Sequence, residues 1–335
     1  MVLVTGGTGL VGSHLLYFLL KKGLPVRATH RRNSDLEAVR RVFEYYTDEP
    51  DMLFTKIEWV EANITDIPAL EDAFRGVTQV YHSAAYISFH PKHFQKLKKA
   101  NVEGTANVVN MCLRHKVKKL CHVSSIATFG STLDGSLITE ETSWNPEEDN
   151  NVYAITKYGA EMEVWRGTQE GLDAVIVNPA VILGSGYWNS GSGAIVKMAA
   201  RGNKFYTSGG VAIVDVQDVV RVMIQLMESE ISEEQFILAS ENLHYKDLMT
   251  SMAGAVGAIP PTKAIAKWKL NALRILDWLN SKLTGARRKL LKATVNSMYN
   301  VSFYDGSKVT DRLNFQYTPA SETIERVGAN FRKRN

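Results

Sequence analysis

Three tyrosine–lysine pairs stand four residues apart in this chain: Tyr17 and Lys21 in "YFLLK", Tyr153 and Lys157 in "YAITK", and Tyr304 and Lys308 in "YDGSK". On a helix, residues four apart share a face. A phenol held beside an ammonium is a proton donor tuned by a neighbouring charge. The spacing therefore matters only where a helix maintains it and a reaction partner lies within reach. Tyr17 interrupts an apolar stripe in "LVGSHLLYFLLKKG" and reads as packing or surface. "YDGSK" contains an Asp-Gly turn signal, which would not keep its ends on one face. Tyr153 and Lys157 open a long Ala/Glu/Met-containing helix downstream of "KLCHVSSIATFG", a strand that ends in Ser124 and Ser125. In parallel sheets ligands bind at the carboxyl ends of strands. A serine pair there and a Tyr/Lys pair on the next helix can converge on one ligand, so only this pair has a partner.

A second chemical signal is the glycine string in "VLVTGGTGLVGSHLL". Gly6, Gly9 and Gly12 follow an apolar strand and precede a helix. Glycines let the backbone turn tightly against a pyrophosphate, and the helix N-terminus offers free N–H groups and a positive dipole end. The next strand, "VRATH", ends at His30, where an acidic residue would hold the ribose hydroxyls of NAD. Arg31 and Arg32 follow instead, which suits a 2′-phosphate. NADP(H) is therefore expected over NAD(H). Asn63, after the third strand, is placed to offer its amide to adenine.

The elements that must position these residues alternate. "VLVT", "PVRATH", "KIEWVEA", "QVYHSA", "KLCHVSS" and "AVIVNPAV" read as strands rich in Val, Ile and aromatics, with amphipathic helical patterns between them. The expected fold is α/β: a Rossmann-type, doubly wound parallel sheet with a smaller, mainly C-terminal substrate lobe. Residues 1–182 should form the dinucleotide-binding domain. The rhythm changes at the Gly/Ser-rich "GSGYWNSGSG", so 183–212 and 240–335 are assigned to the second lobe, with 213–239 returning to the first.

At 335 residues and a net charge of +4, the chain has no basic excess that would point to nucleic acid. Cys112 and Cys121 are too few for a disulfide framework and read as core residues in a reducing compartment. No stretch reaches the length of a membrane span. The chain opens on a strand rather than a signal segment, so a cytoplasmic location is expected.

The glycine turn, "VYHSAA", "NVEGTANVV", "HVSSIATFG" and "YAITK" occur in an order and spacing that resemble the extended short-chain dehydrogenase/reductase family. "PVRATHRR", "NPAVILG" and "GGVAIVDVQDV" look most like its dihydroflavonol-4-reductase-like branch. The resemblance implies an NAD(P)-dependent oxidoreductase that interconverts a ketone or aldehyde and an alcohol. Tyr153 would be the proton donor, and Lys157 would favour its phenolate and bond the nicotinamide ribose. Ser125 would hold the substrate oxygen, Asn101 matches the active-site asparagine, and Ser124 supports the strand end. Gly6, Thr8, Gly9, Leu10, Gly12, Arg31, Arg32, Asn63, Ile64, Ala84, Ala85, Lys157 and Pro179 would contact the cofactor. Departures narrow the reaction. Val211 stands where sugar-nucleotide epimerases carry an arginine. Ile126 and Ala127 replace the Asp-Glu pair of dehydratases, and Asn178-Pro179 stands in place of the usual Arg-Pro. An epimerase or isomerase of a non-nucleotide substrate, a hydroxysteroid-dehydrogenase-like enzyme and a non-catalytic NADP-binding module are the alternatives.

Tyr86, Phe89, Trp144, Tyr187 and Trp188 flank the expected site and suggest an aromatic-tolerant pocket for a small carbonyl or alcohol. His82, His90 and His93 lack an accompanying ligand cluster, so no metal is expected. The basic, amphipathic "KAIAKWKLNALRILDWLNSKLTGARRKLLK" reads as a lid or wall helix of the substrate lobe, with membrane-surface attachment as the alternative. The helices near 94–114 and 152–170 resemble the pair through which the family forms two-fold dimers. A homodimer is expected, with Val109 on its apolar face.

Overall fold

The computed structural model describes residues 1–132, 134–189, 191–285 and 290–334. Its strands are β1 (Val2–Thr5), β2 (Val26–His30), β3 (Glu58–Glu61), β4 (Gln79–His82), β5 (Lys119–Val123), β6 (Ala174–Pro179), β7 (Val181–Leu183), β8 (Phe205–Tyr206), β9 (Gly210–Asp215), β10 (Glu234–Leu238), β11 (Glu241–His244) and β12 (Lys263–Ala264). Seven of them form one sheet in the order β10-β6-β5-β4-β1-β2-β3, and every pairing in it is parallel. The order reverses between β1 and β4. That switch point leaves a crevice at the carboxyl ends of the strands, where ligands of doubly wound sheets sit.

Residue alternation explains why both faces are covered. Val2, Val4, Tyr81, Cys121, Val175 and Val177 point into one apolar cluster, shared with Leu15, Leu16 and Leu19 of the helix Leu10–Lys21 and Val219, Val220 and Met223 of Val216–Glu228. Their neighbours Leu3, Val80, Leu120 and Ile176 point the other way, against Leu70, Phe74, Val108, Val109 and Val164. Each fully buried side chain of this kind contributes roughly 1.5–3 kcal/mol. Both cysteines are free and buried.

The run "AVIVNPAV" divides at Ala180 into β6 and β7, which belong to different sheets. β7, β9 and β11 make a three-stranded sheet, β7 parallel and β11 antiparallel to β9. The helices Gly193–Ala200, Tyr245–Val256 and Ala320–Arg332 supply the residues of its own core, among them Val196, Leu248, Met252, Ile324 and Phe331. Residues 213–239 divide as well. Ile213–Asp215 end β9 in this small sheet, while β10 completes the large one. The joint is polar. Asp215 caps the helix Val216–Glu228 through Gln217 N–H, accepts from Thr323 Oγ1 at 2.8 Å and pairs with Arg326. Among the described residues, no helix is long and apolar enough to cross a membrane.

Candidate active site

The turn Gly6–Gly9 leads from β1 into the helix Leu10–Lys21. Gly6 has φ +73°, and a side chain there would strike the backbone of Ala84 at 2.6 Å, so only glycine allows β1 and the β4 loop to approach this closely. Gly9 caps the helix without a side-chain acceptor. Its first-turn N–H groups therefore remain available to an anion.

Gly6, Thr8 and Gly9 line one side of a groove of about 180 Å³. Thr29, His30 and Arg31 lie toward its β2 end, with Asn63, Ile64, Ala84, Ala85 and Tyr86 opposite. A wider depression of about 410 Å³ adjoins it at Arg31 and Asn63 and is lined also by Arg32, Glu61 and Asp66. Arg40 and Arg41 are paired with Asp51 and Asp35, whereas Arg31 and Arg32 are exposed and carry no ion pair among the described residues. A bare helix N-terminus, a backbone cradle that a Cβ would fill and a long groove crossing the switch point fit a dinucleotide. Leu10 and Pro179 do not line this groove. Leu10 reaches Gly184, and Pro179 is buried in β6.

The helix Val152–Gln169 is fixed at its start by Asn151, whose side chain accepts from Tyr153 and Ala154 N–H, both at 3.0 Å. Tyr153, Lys157 and Glu161 form a stripe down one face, each one turn from the next. Ser125 stands at the end of β5, where its Oγ accepts from Ala127 N–H at 3.2 Å. Its carbonyl accepts from Thr128 Oγ1 at 2.8 Å and from Asn178 Nδ2 at 3.3 Å. Burial pushes the Tyr153 phenol up to about 12, opposed by the Ser125 hydroxyl. The expected stabilisation of its phenolate by Lys157 is not among the influences on this phenol, which are burial and the Ser125 hydroxyl. Lys157 Nζ instead donates to Val123 O at 2.8 Å and lies 3.4 Å from His122 Nε2. Burial lowers Lys157 to about 8, while the Glu161 charge works against that shift.

Glu161 escaped the sequence reading, although its place four residues beyond Lys157 is the same signal continued. It is almost fully buried and accepts from Thr128 Oγ1 at 2.8 Å and Asn178 Nδ2 at 2.6 Å. Thr128 and Asn178 are the same two side chains that hold the Ser125 carbonyl, so one carboxylate ties the tyrosine helix to the serine turn. His82, between Thr5 Oγ1 at 2.6 Å and Thr105 Oγ1 at 2.9 Å, is a buried structural histidine held neutral, its pKa lowered to about 3 by burial and then by Lys157.

Asn101 is brought to the site's edge but is occupied. It accepts from Tyr86 N–H at 2.7 Å and donates to Tyr86 O at 3.0 Å and Thr156 Oγ1 at 3.1 Å. It clamps the β4 loop to the tyrosine helix. The other two Tyr/Lys pairs are structural. Tyr17 stacks on Tyr46 with centroids 4.4 Å apart. Tyr304 lies before its helix, and Lys308 bonds Gln235 O at 2.9 Å.

Beside Tyr153 opens a cavity of about 840 Å³, walled by Phe89, Lys92, Asn151, Arg274, Trp278 and Lys282 among others. Phe89 meets the Tyr153 ring edge-on at 5.5 Å. The expected pocket aromatics need correcting. Tyr86 lines the nucleotide groove, with Lys96 Nζ 4.6 Å over its ring. Trp144 stacks on Tyr158 at 4.8 Å. Trp188 packs edge-on against Phe331 at 5.2 Å in the small sheet's core. Tyr187 lies half-buried beside Ser13, with Asp35 and Arg41 near its hydroxyl. None of the four lines the cavity, because each ring is held by a contact elsewhere in the fold. Trp278, from the helix Lys267–Thr284, takes that role. It was legible only as part of a basic amphipathic segment.

Residues 2–239 match the NAD dependent epimerase/dehydratase family, and the chain belongs to it. It is an NAD(P)-dependent enzyme of the extended short-chain dehydrogenase/reductase class. It is 26% identical to a putative dihydroflavonol 4-reductase of Synechocystis sp. over 96% of this chain and 91% of that one. It is 29% identical to sterol demethylase protein B of Methylococcus capsulatus over 82% and 80%. The crystal structure of gox2253 superposes with a TM-score of 0.82 at 26% identity, covering 100% of this chain and 98% of that one.

Proposed function

We propose that the protein is an NADP(H)-dependent reductase of an apolar, ring-bearing ketone or aldehyde, or a dehydrogenase of the corresponding alcohol. The observation that carries this reading is the meeting of the Ser125 and Tyr153 hydroxyls, beside buried Lys157, with Tyr153 in edge-on contact with Phe89, which joins Trp278 in a cavity wall that also carries Lys92, Arg274 and Lys282. Gly6, Thr8, Gly9, Asn63, Ile64, Ala84 and Ala85 would hold the dinucleotide, with Arg31 and Arg32 on a 2′-phosphate. Bound there, the nicotinamide would supply or accept the hydride.

The protein's own part is proton chemistry. Ser125 donates a hydrogen bond to the substrate oxygen and orients it. Tyr153, a neutral phenol at physiological pH, gives its proton to that oxygen as the alcohol forms. Lys157, cationic below about pH 8, lowers the cost of the phenolate left behind. Ile126 and Ala127 offer no second acid or base for elimination, which favours reduction over dehydration. The relatives' names, a dihydroflavonol reductase and a sterol demethylase component, support a fused-ring substrate class.

The test is turnover of the purified protein with a panel of flavonoid, steroid and simple aromatic carbonyls, each with NADPH and with NADH. Net NADPH consumption coupled to alcohol formation is expected. Product formed without net cofactor use would replace this reading with an epimerase, and cofactor binding without turnover across the panel would replace it with a binding module.

A further inference from the structure

The helix Lys267–Thr284 has eighteen residues, and none of them is buried. Seven of its large apolar side chains are exposed, and five of these share one face, with Leu273 and Trp278 to either side. Trp268, Ile275, Leu276, Leu279 and Leu283 recur at helical spacing and, with Ala272, fall on one arc of about 100°. The five large ones are exposed, from 43% at Leu279 to 85% at Leu283. Monomeric proteins rarely leave so continuous an apolar strip in water. Lys269 and Lys282 flank the strip on its two sides, and Lys267 and Arg274 add charge to the same helix. The one carboxylate on the helix, Asp277, lies on the far side and accepts from Leu290 N–H at 3.1 Å. Arg274, Trp278 and Ser281 face the cavity beside Tyr153 instead, and Lys282 stands on the border between the two faces, lining the cavity with its Nζ 4.6 Å over the Trp278 ring. One face of the helix therefore walls the cavity, and another is apolar, bordered by cations and uncovered by any described residue.

The charges choose the occupant. A second copy of the chain packed on this strip would bring two cation-bordered faces together with no carboxylate on either to offset them, since Asp277 lies on the far side. An anionic bilayer satisfies both features: the leucines, isoleucine and tryptophan enter the headgroup–acyl boundary, and the lysines snorkel to lipid phosphates. We infer that the helix Lys267–Thr284 is an interfacial helix that lies flat on anionic lipid, immersing Trp268, Ile275, Leu276, Leu279 and Leu283. The helix that walls the cavity is then seated at the membrane surface, where apolar ring compounds partition. Lipid binding does not depend on the reductase reading, since it is measured without substrate.

The experiment is co-sedimentation of the full chain with vesicles of one part phosphatidylglycerol to two parts phosphatidylcholine, and with pure phosphatidylcholine vesicles. Binding to the anionic vesicles is expected to be at least about ten-fold tighter than to the zwitterionic ones, and to weaken in high salt. The double variant Leu276→Glu/Leu279→Glu alters only exposed positions and should melt at the parent's temperature, yet bind at least about ten-fold more weakly. The variant Lys269→Glu/Lys282→Glu should lose the preference for anionic lipid. The inference fails if the parent does not sediment with anionic vesicles, or if Leu276→Glu/Leu279→Glu binds as well as the parent. It fails equally if that variant merely converts a self-associated parent into monomers while vesicle binding is absent in both.

Discussion

Replacing Tyr153 by Phe removes one hydroxyl and leaves the ring in place. The ring's edge-on contact with Phe89 at 5.5 Å survives, and Asn151 still caps the helix through backbone N–H groups. Stability should therefore change by no more than the worth of one hydrogen bond, about 0.5–1.5 kcal/mol. What disappears is the acid. The phenol, pushed up to about 12 by burial, is protonated throughout the neutral range and is the sole such donor on the stripe facing Ser125. General acid catalysis is typically worth ~100- to 10,000-fold, equivalent to about 2.7–5.4 kcal/mol of barrier. Turnover of one active carbonyl, followed through NADPH absorbance, should fall by that factor. NADPH affinity by fluorescence titration should stay within about two-fold, because the phenol is not assigned to the groove. Tyr17→Phe and Tyr304→Phe serve as controls, since the first loses only a stacked ring's hydroxyl and the second a residue outside any helix shared with its lysine. Full activity in a folded Tyr153→Phe protein would refute the mechanism, as would abolition by Tyr304→Phe alone.

Burial lowers the Lys157 pKa below the ordinary lysine range, against the Glu161 charge, so carbonyl reduction should decline as pH rises through the lysine's lowered titration, and Lys157→Met should remove that inflection from the pH–rate profile. Glu161 opposes the lowering of the Lys157 pKa; Glu161→Gln should therefore move the inflection to lower pH, and an unmoved or upward-shifted inflection would contradict the coupling. Arg31→Ala with Arg32→Ala should weaken NADPH binding by about 1.5–3 kcal/mol for each charge-assisted hydrogen bond removed while leaving NADH nearly unchanged in the same fluorescence titration; an equal weakening for both cofactors would count against a 2′-phosphate clamp. Val109, expected on a dimer face, is instead buried within the chain, its Cγ1 against Gly167 of the tyrosine helix. If the protein is the proposed two-fold dimer, the exposed Ile155 and Met162 of that helix are the positions where a glutamate should yield monomers by sedimentation, and a monomeric parent at micromolar concentration would remove the premise.

By itself the sequence determined what local chemistry specifies. A strand, a glycine turn and a helix make a dinucleotide cradle from consecutive residues, because the anion is held by backbone N–H groups whose geometry is set by local dihedral angles. The Tyr153–Lys157 stripe is likewise contained in one helix, and the serine turn follows one strand, so type, spacing and order were enough to propose one pair from three. The alternation of strand and helix patterns already implied a parallel sheet covered on both faces, and Val2, Leu3 and Val4 do pack alternately into its two clusters. Tertiary structure alone decided which side chains were free to act. Asn101 has the right position in the chain, yet three hydrogen bonds to Tyr86 and Thr156 make it a clamp. Trp188 sits in the Gly/Ser loop as expected, yet Phe331, from the last helix, draws it into a core. Lys157 turned to Val123 O rather than to the phenol, and the cavity wall came from Arg274 and Trp278, far along the chain. Burial and pairing depend on which distant elements meet, and no window of sequence contains both partners of such a contact.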